Sequence, residues 1–211
     1  MDLRKLFDGT YVYIEGNRVY FTDYVNRYMY VVGVNGSASL DGTIEMRTIP
    51  KIYDIDLDGG YMYVDIDPYG YTTLKYKIIP ADKKPPENLN ENYQVEGFVD
   101  IGNMKRAIIM TKTVYKHSDH YLLTKLVNNI NEVYLNTVSE HSLTAYICKS
   151  NADEYIECVY DIGLLSKIMC NTNGAGKLYF GESSVLKYIH IPLGTVNINY
   201  IESYIAPEVV L

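Results

Sequence analysis

Apolar and polar residues alternate along several short segments of this chain, and many of the alternating positions are tyrosines. This period of two appears in TYVYIEGNRVYFTD, RYMYVVGV and GYMYVDID. Alternation is typical of strands that have one buried and one solvated face. We therefore predict that these tyrosines serve strand packing rather than base stacking or catalysis.

Two segments have a helical period instead. IGNMKRAIIMTKTVYK begins near Asp100 and Asn103, either of which can cap a helix, and DIGLLSKIMCN forms the second segment. On the first predicted helix Lys105, Lys112 and Lys116 share one face, with no acidic residue between them. Taken alone, such a stripe is most often a solvated helix face.

Two stretches of the chain resemble each other in the same order. The matching triplets are Tyr61–Tyr63 with Lys177–Tyr179, and Leu74–Tyr76 with Leu186–Tyr188. Each copy is predicted to contain a short helix, a glycine-containing turn, a strand, another turn and a second strand. A single match of this kind could be chance, but two matches in the same order along the chain predict a duplicated domain.

The segment between the two copies differs in composition from both of them. IIPADKKPPENLNENY contains three prolines among lysine, asparagine and glutamate residues, so it is predicted to be an exposed connector. The chain is therefore predicted to have an α+β fold with two similar tandem domains. The first spans residues 1–79, the connector 80–93, and the second 94–211.

The net charge of −7 argues against a protein that coats nucleic acid along its whole surface. It leaves open a protein that collects its positive charge on one face. The three cysteines, Cys148, Cys158 and Cys170, are expected to be buried free thiols, because their number is odd and no export signal precedes them. No apolar run approaches the roughly 18 residues that span a bilayer. We therefore expect a protein inside the cell, without a membrane partner.

The string DIDLDGGYMYVD satisfies most of a calcium-loop pattern. Its candidate ligands are Asp54, Asp56, Asp58 and Asp65. A calcium loop of this type lies between two helices, whereas YMYVDID alternates like a strand. We therefore favour a solvated turn here. A calcium-binding module is the minor alternative. The sequence contains no GxSxG, P-loop or HExxH motif, and we expect neither an enzyme nor a cofactor.

The strings YDIGLLSKIMCN, LYFGE and the ending YIAP resemble the last helix, strand and tail of the DNA sliding clamps, the family of proliferating cell nuclear antigen (PCNA) and its archaeal and viral relatives. PADKKPPENL stands where that family has its interdomain connecting loop. The resemblance covers nearly the whole chain and is strongest over residues 95–211. The chain is shorter than a typical member, mainly in the first domain, which indicates a compact variant.

This resemblance implies a non-enzymatic processivity factor for a DNA polymerase. In the family, three chains close into a ring whose helices line a hole, and duplex DNA passes through the hole without being read in sequence. A homotrimer is therefore expected, in an archaeal cytoplasm or, for a viral protein, in a host cell. The residues that would face DNA are Lys105, Lys112, Lys116, Lys167, Lys51 and Lys5.

The resemblance also implies an apolar pocket that binds a short peptide of a polymerase or another partner, bordered by the connector and the tail. Its residues would be Tyr24, Tyr28, Val31, Leu89, Val185, Tyr204, Ala206, Pro207 and Val209. The need for a clamp loader is left open. Because the first domain is short, the alternative is a clamp-like regulator or decoy that does not encircle DNA alone and binds clamp subunits or their partners.

Overall fold

The structure is a computed structural model that describes residues 11–23, 27–45, 51–81, 84, 89–115, 123–138, 142–170 and 174–208. The elements in chain order are β1 (Tyr11–Glu15), β2 (Arg18–Thr22), β3 (Tyr28–Val34), β4 (Ser37–Ala38), β5 (Gly42–Thr43), β6 (Asp54–Gly59), β7 (Tyr61–Asp65), β8 (Thr73–Lys77), β9 (Ile79–Pro80), β10 (Val95–Asp100), α1 (Ile101–Tyr115), β11 (Leu123–Asn128), β12 (Glu132–Thr137), β13 (Thr144–Lys149), β14 (Ile156–Asp161), α2 (Ile162–Cys170), β15 (Ala175–Phe180), β16 (Leu186–His190) and β17 (Ile198–Ile205).

The chain divides into two compact units. Unit 1 consists of residues 1–88 and 191–203, and unit 2 of residues 89–190 and 204–211. Residues 191–203 thus belong with unit 1, although they lie within the predicted domain 94–211. The boundary falls inside β17, between Ser203 and Tyr204.

Unit 1 is built from two sheets. One has the strand order β17-β3-β2-β1-β5-β9, and the other is four-stranded with the order β4-β6-β7-β8. The predicted β1–β2 hairpin is confirmed, with a turn at Gly16, whose φ of 57° is a conformation that glycine adopts at low cost. Tyr13 and Phe21 of this hairpin and Tyr30 of β3 are fully buried, which confirms their packing role. Consecutive positions are buried in all three strands, so the predicted solvated face is not observed here.

Unit 2 combines the strand order β10-β15-β16 and the four-stranded sheet β13-β12-β11-β14 with two helices that pack against each other. Both predicted helices are confirmed. The carboxylate of Asp100 accepts a hydrogen bond of 3.1 Å from the amide of Asn103, and Asp161 accepts one of 2.6 Å from Gly163. Each aspartate therefore caps the helix that follows it.

The internal repeat is confirmed at the level of strand register. In unit 1, β7 and β8 pair so that Met62 lies opposite Tyr76. In unit 2, β15 and β16 pair so that Leu178 lies opposite Tyr188. These are corresponding positions of the two matching stretches, so both copies form the same antiparallel hairpin.

The solvated turn predicted for the acidic residues of the first copy is wrong, and no helix precedes it in the described residues from Lys51 onward. Residues Asp54–Gly59 form strand β6, which pairs with β7 along its length. Ile55 and Leu57 are buried while Asp56 and Asp58 point away from the core. A strand, β6, therefore precedes the glycines of the DGG turn, where the sequence predicts a solvated turn.

Cys148 and Cys158 are free and buried, as predicted, while the side chain of Cys170 lies outside the described part of the chain. Burial raises the pKa of the Cys148 thiol to about 11, so the thiol stays protonated and behaves as a small apolar group. Neither α1 nor α2 is long and apolar enough to cross a membrane, and the described residues contain no other α-helix.

Candidate functional site

The carboxyl-terminal tail is attached to the edge of a sheet. Tyr204 and Ile205 are buried at the end of β17, and residues 206–208 are half-buried. The amide of Glu208 donates a hydrogen bond of 2.8 Å to the carbonyl of Val159. Val159 lies on β14, the last strand in the order β13-β12-β11-β14. The tail therefore supplies a backbone partner to an edge strand, which would otherwise present unpaired groups.

The end of the connector is bound to the turn between β15 and β16. The carbonyl of Asn90 accepts a hydrogen bond of 3.1 Å from the amide of Val185, and the Asn90 side chain donates one of 3.0 Å to Ser183. The side-chain oxygen of Gln94 accepts a further bond of 2.8 Å from the amide of Glu182. Residues 90–94 are thus held along residues 182–185.

The same turn is also anchored to β14. The hydroxyl of Tyr160 donates a hydrogen bond of 3.1 Å to the carbonyl of Ser184, and both residues are buried. Burial raises the pKa of Tyr160 far above its usual range, so the phenol remains a donor at every physiological pH. Strand β14 therefore holds both the turn and the tail.

Lys187 joins the tail to the connector through two interactions. Its Nζ lies 5.3 Å from the centroid of the Tyr204 ring and 3.7 Å from a carboxylate oxygen of Glu91. The first distance is within the range of a cation–π contact. Residues 89–94 at the end of the connector, residues 182–187, the tail residues 204–208 and β14 thus form one cluster within unit 2, which we call the tail cluster.

Five predicted pocket residues lie in the tail cluster. They are Leu89, Val185, Tyr204, Ala206 and Pro207. Val185 and Tyr204 are buried, whereas the other three are half-buried, so the solvent-accessible apolar surface among these five comes from Leu89, Ala206 and Pro207.

The remaining four predicted pocket residues do not add to this surface in the described part of unit 2. Tyr28 and Val31 are buried on β3 of unit 1, and Tyr24 and Val209 lie outside the described residues. Sequence reasoning missed Asn90, Tyr160 and Lys187, which hold the tail cluster together. No pattern in the sequence marks them, because their partners lie 17 to 96 positions away along the chain.

The second candidate surface is the outward side of α1. Met104, Ala107 and Ile108 are buried, and Lys105 and Lys112 are half-buried at the flank of the outward side. The exposed centre of this side contains Arg106, Ile109 and Met110. The helical spacing of the lysines does not mark Arg106, because Arg106 lies one position beyond Lys105 and outside that stripe.

The two helices carry positive charge only. Residues 101–115 and 162–170 include Lys105, Arg106, Lys112 and Lys167, and contain neither aspartate nor glutamate. Lys167 is half-buried on α2, and Lys51 is exposed just ahead of β6 in unit 1. Lys116 and Lys5 lie outside the described residues. A chain of net charge −7 therefore has a pair of packed helices with four cationic and no anionic side chains.

The four candidate calcium ligands do not form a loop. They lie on the β6–β7 hairpin, where Asp54 and Asp65 are directly opposite each other. The buried carboxylate of Asp54 accepts hydrogen bonds of 2.8 and 2.9 Å from the amides of Val196 and Asn197, in the segment before β17. The described residues contain no group of three His, Cys, Asp or Glu side chains that could hold a metal ion.

The sequence matches no protein-family model and no curated protein. Solved structures do match. The chain is similar to PCNA from Thermococcus kodakaraensis, with a TM-score of 0.66 and 13% identity over 98% of this chain and 93% of that chain. It is similar to the PCNA2–PCNA3 complex from Sulfolobus tokodaii, with a TM-score of 0.64 and 15% identity over 98% and 92%.

A third match is A. fulgidus PCNA bound to the C-terminal region of FEN-1. Its TM-score is 0.65 at 12% identity, over 96% of this chain and 90% of that chain. At such identities the agreement concerns the fold.

Proposed function

Since the chain has the fold of the PCNA sliding clamps, we propose that it is a DNA polymerase processivity factor that encircles duplex DNA and acts without enzymatic chemistry. The observation that carries this proposal is the charge of the two packed helices, which is opposite in sign to that of the whole chain. A helix pair of this kind suits contacts with the phosphate backbone, which hold a duplex without reading its bases.

Encirclement requires several copies, and the sheets offer edges for their association. Strand β8 ends the order β4-β6-β7-β8 in unit 1, and β13 ends the order β13-β12-β11-β14 in unit 2. Thr73, Lys75 and Lys77 of β8 are exposed. Edge strands readily pair with another chain. We propose that β8 of one copy pairs with β13 of the next, so that three copies close a ring.

The tail cluster is the proposed site for partner peptides. Leu89, Ala206 and Pro207 provide half-buried apolar surface on a backbone that hydrogen bonds hold in place. A pre-formed surface of this kind lowers the entropic cost of binding an extended peptide. The A. fulgidus PCNA binds the C-terminal region of FEN-1, and that peptide is the first probe to use.

Two measurements test the proposal. Light scattering distinguishes a chain of 24.1 kDa from a trimer of about 72 kDa. A ring that encircles DNA stays on closed circular duplex in a gel-filtration column and slides off once the circle is cut. A trimer that is retained only on circular DNA is the expected result. A monomeric mass, or equal retention on circular and linear DNA, would contradict encirclement.

A second candidate function is favoured by one observation. Both described helices belong to unit 2, and the outward side of α1 exposes Ile109 and Met110 beside Arg106. Exposed apolar residues suit a protein interface better than a phosphate backbone. The alternative is a regulator that binds clamp subunits or their partners without encircling DNA, and a monomeric mass together with FEN-1 peptide binding would support it.

A further inference from the structure

The loop between β7 and β8 exposes two aromatic rings. Tyr71 is 87% and Tyr69 is 77% exposed. Among the large hydrophobic residues of the described part of the chain, these are the highest and third-highest values, with Val196 at 82% between them. Their ring centroids lie 5.8 Å apart with an angle of 29° between the planes, so the rings are stacked. In the described part of the chain, the aromatic neighbour of the Tyr69 ring is the Tyr71 ring.

A carboxylate holds the backbone of this loop in place. Asp67 accepts hydrogen bonds from the amides of Tyr69, Tyr71 and Thr72, at 2.9, 3.2 and 2.5 Å. Gly70 has a φ of 70°, which a residue with a Cβ rarely adopts. The tyrosines are therefore presented on an ordered turn, and little conformational entropy is lost when a partner binds them.

The charges around the loop favour a cationic partner. Asp65 lies at the base of the loop, where it accepts a hydrogen bond of 2.7 Å from Thr73. Together with Asp67, which lies within the loop, it gives the loop two carboxylates. On the same hairpin the Nζ of Lys75 already lies 3.8 Å from the centroid of the Tyr61 ring. Tyrosine faces in this hairpin therefore attract cations, whereas phosphate groups would be repelled by the carboxylates.

We propose that Tyr69 and Tyr71 form a docking platform for an arginine-bearing segment of a protein partner. A guanidinium group is planar, stacks on aromatic rings and pairs with carboxylates, so it fits both features of the loop. The platform belongs to unit 1, whereas the tail cluster and the two helices belong to unit 2. It would therefore add a second partner site to a chain that already has the proposed peptide site.

Subtractive peptide display tests the platform. A random peptide library is selected on the wild-type chain and depleted on the Y69S/Y71S variant, so that peptides bound at any other site are removed. The surviving peptides are expected to be enriched in arginine and to bind the double variant about tenfold more weakly. Y155S is the matched control, because Tyr155 is 60% exposed in unit 2 and its loss should leave their binding unchanged.

Three outcomes would overturn the proposal. One is a surviving pool without arginine enrichment. Another is binding of oligothymidylate that the double variant loses, because the platform would then stack nucleic-acid bases. The third is a change of oligomeric mass in the double variant, which would make a second copy of the chain the occupant. Because both tyrosines are exposed, the double variant should fold, and circular dichroism checks this. The first two outcomes do not depend on whether the chain encircles DNA.

Discussion

The amide of Glu208 donates a hydrogen bond of 2.8 Å to the carbonyl of Val159 on β14. This contact holds the apolar, proline-containing segment 204–208 against strand β14. Tyr204 and Ile205 complete the core, while Ala206 and Pro207 lie half-buried on the way to the bond. The tail protects a sheet edge and, at the same time, forms apolar surface beside the connector.

The first prediction concerns the surface beside that tail. Replacing Leu89 by Ser and Ala206 by Asp should weaken binding of the FEN-1 peptide at least about tenfold, because both changes remove apolar contact without disturbing buried Tyr204. Fluorescence anisotropy with labelled peptide measures the affinity. Ile130→Asp, in the exposed β11–β12 turn, is the control. Equal affinity in the double variant and the control would place the peptide site elsewhere.

The second prediction concerns the helix charges. Replacing Lys105, Arg106 and Lys112 by Glu should abolish retention on circular DNA and leave the oligomeric mass unchanged. Each lost phosphate contact should also reduce the salt slope of binding by about 0.9. Lys84→Glu is the control, since Lys84 lies in unit 1 and pairs with Glu15. Retention of the triple variant on circular DNA would show that these side chains do not face the duplex.

The third prediction concerns Asp54. Its replacement by Ala should lower the free energy of unfolding by about 3 kcal/mol, because the amides of Val196 and Asn197 lose a charged acceptor. Urea unfolding measures the loss. Asp56→Ala should cost less than about 1 kcal/mol, since the Asp56 carboxylate accepts from the amide of the next residue, Leu57. Equal losses in the two variants would mean that the β17 segment does not depend on Asp54.

Calcium offers an independent check on this hairpin. Because Asp54 is committed to backbone amides and the hairpin is a paired ladder, calcium should leave the thermal unfolding temperature of the wild-type chain unchanged. A rise in that temperature with added calcium chloride, but not with magnesium chloride, would restore the calcium-site hypothesis.

The fourth prediction concerns His190, which is buried on β16 and stacked on Tyr188. Neither ring nitrogen has a hydrogen-bond partner in the described residues, and burial lowers the pKa from 6.5 to about 4. Between these values the unfolded chain binds a proton that the folded chain does not. Stability should therefore fall by about 3 kcal/mol as the pH falls from 6.5 to 4.

The His190→Phe variant provides the comparison. Phenylalanine keeps the ring and cannot be protonated, so this variant should lose less stability than the wild type over the same pH range. Urea unfolding at several pH values between 4 and 7 gives both curves. Parallel curves would assign the acid sensitivity to other groups.

Local patterns in the sequence determined much of the fold. The alternating tyrosine segments form strands, Asp100 and Asp161 cap the two helices, and the repeated triplets form hairpins in matching register. These features depend on residues a few positions apart, and their periods follow from helix and strand geometry. The resemblance of the fold to sliding clamps could likewise be recognised from strings such as LYFGE and YIAP.

Only the tertiary structure decided which side chains meet across long stretches of chain. Asp54, which matches a calcium-loop pattern, accepts hydrogen bonds from amides 142 and 143 positions away, and the tail binds β14 through Glu208. The exposure of Arg106 rather than Lys105 at the centre of the outward side of α1 depends on how the helix is rotated against its neighbours. The hydrogen bonds of Asp54 and of Glu208 use backbone amides or carbonyls, which residues of nearly any type carry, so no pattern in the amino-acid sequence marks them.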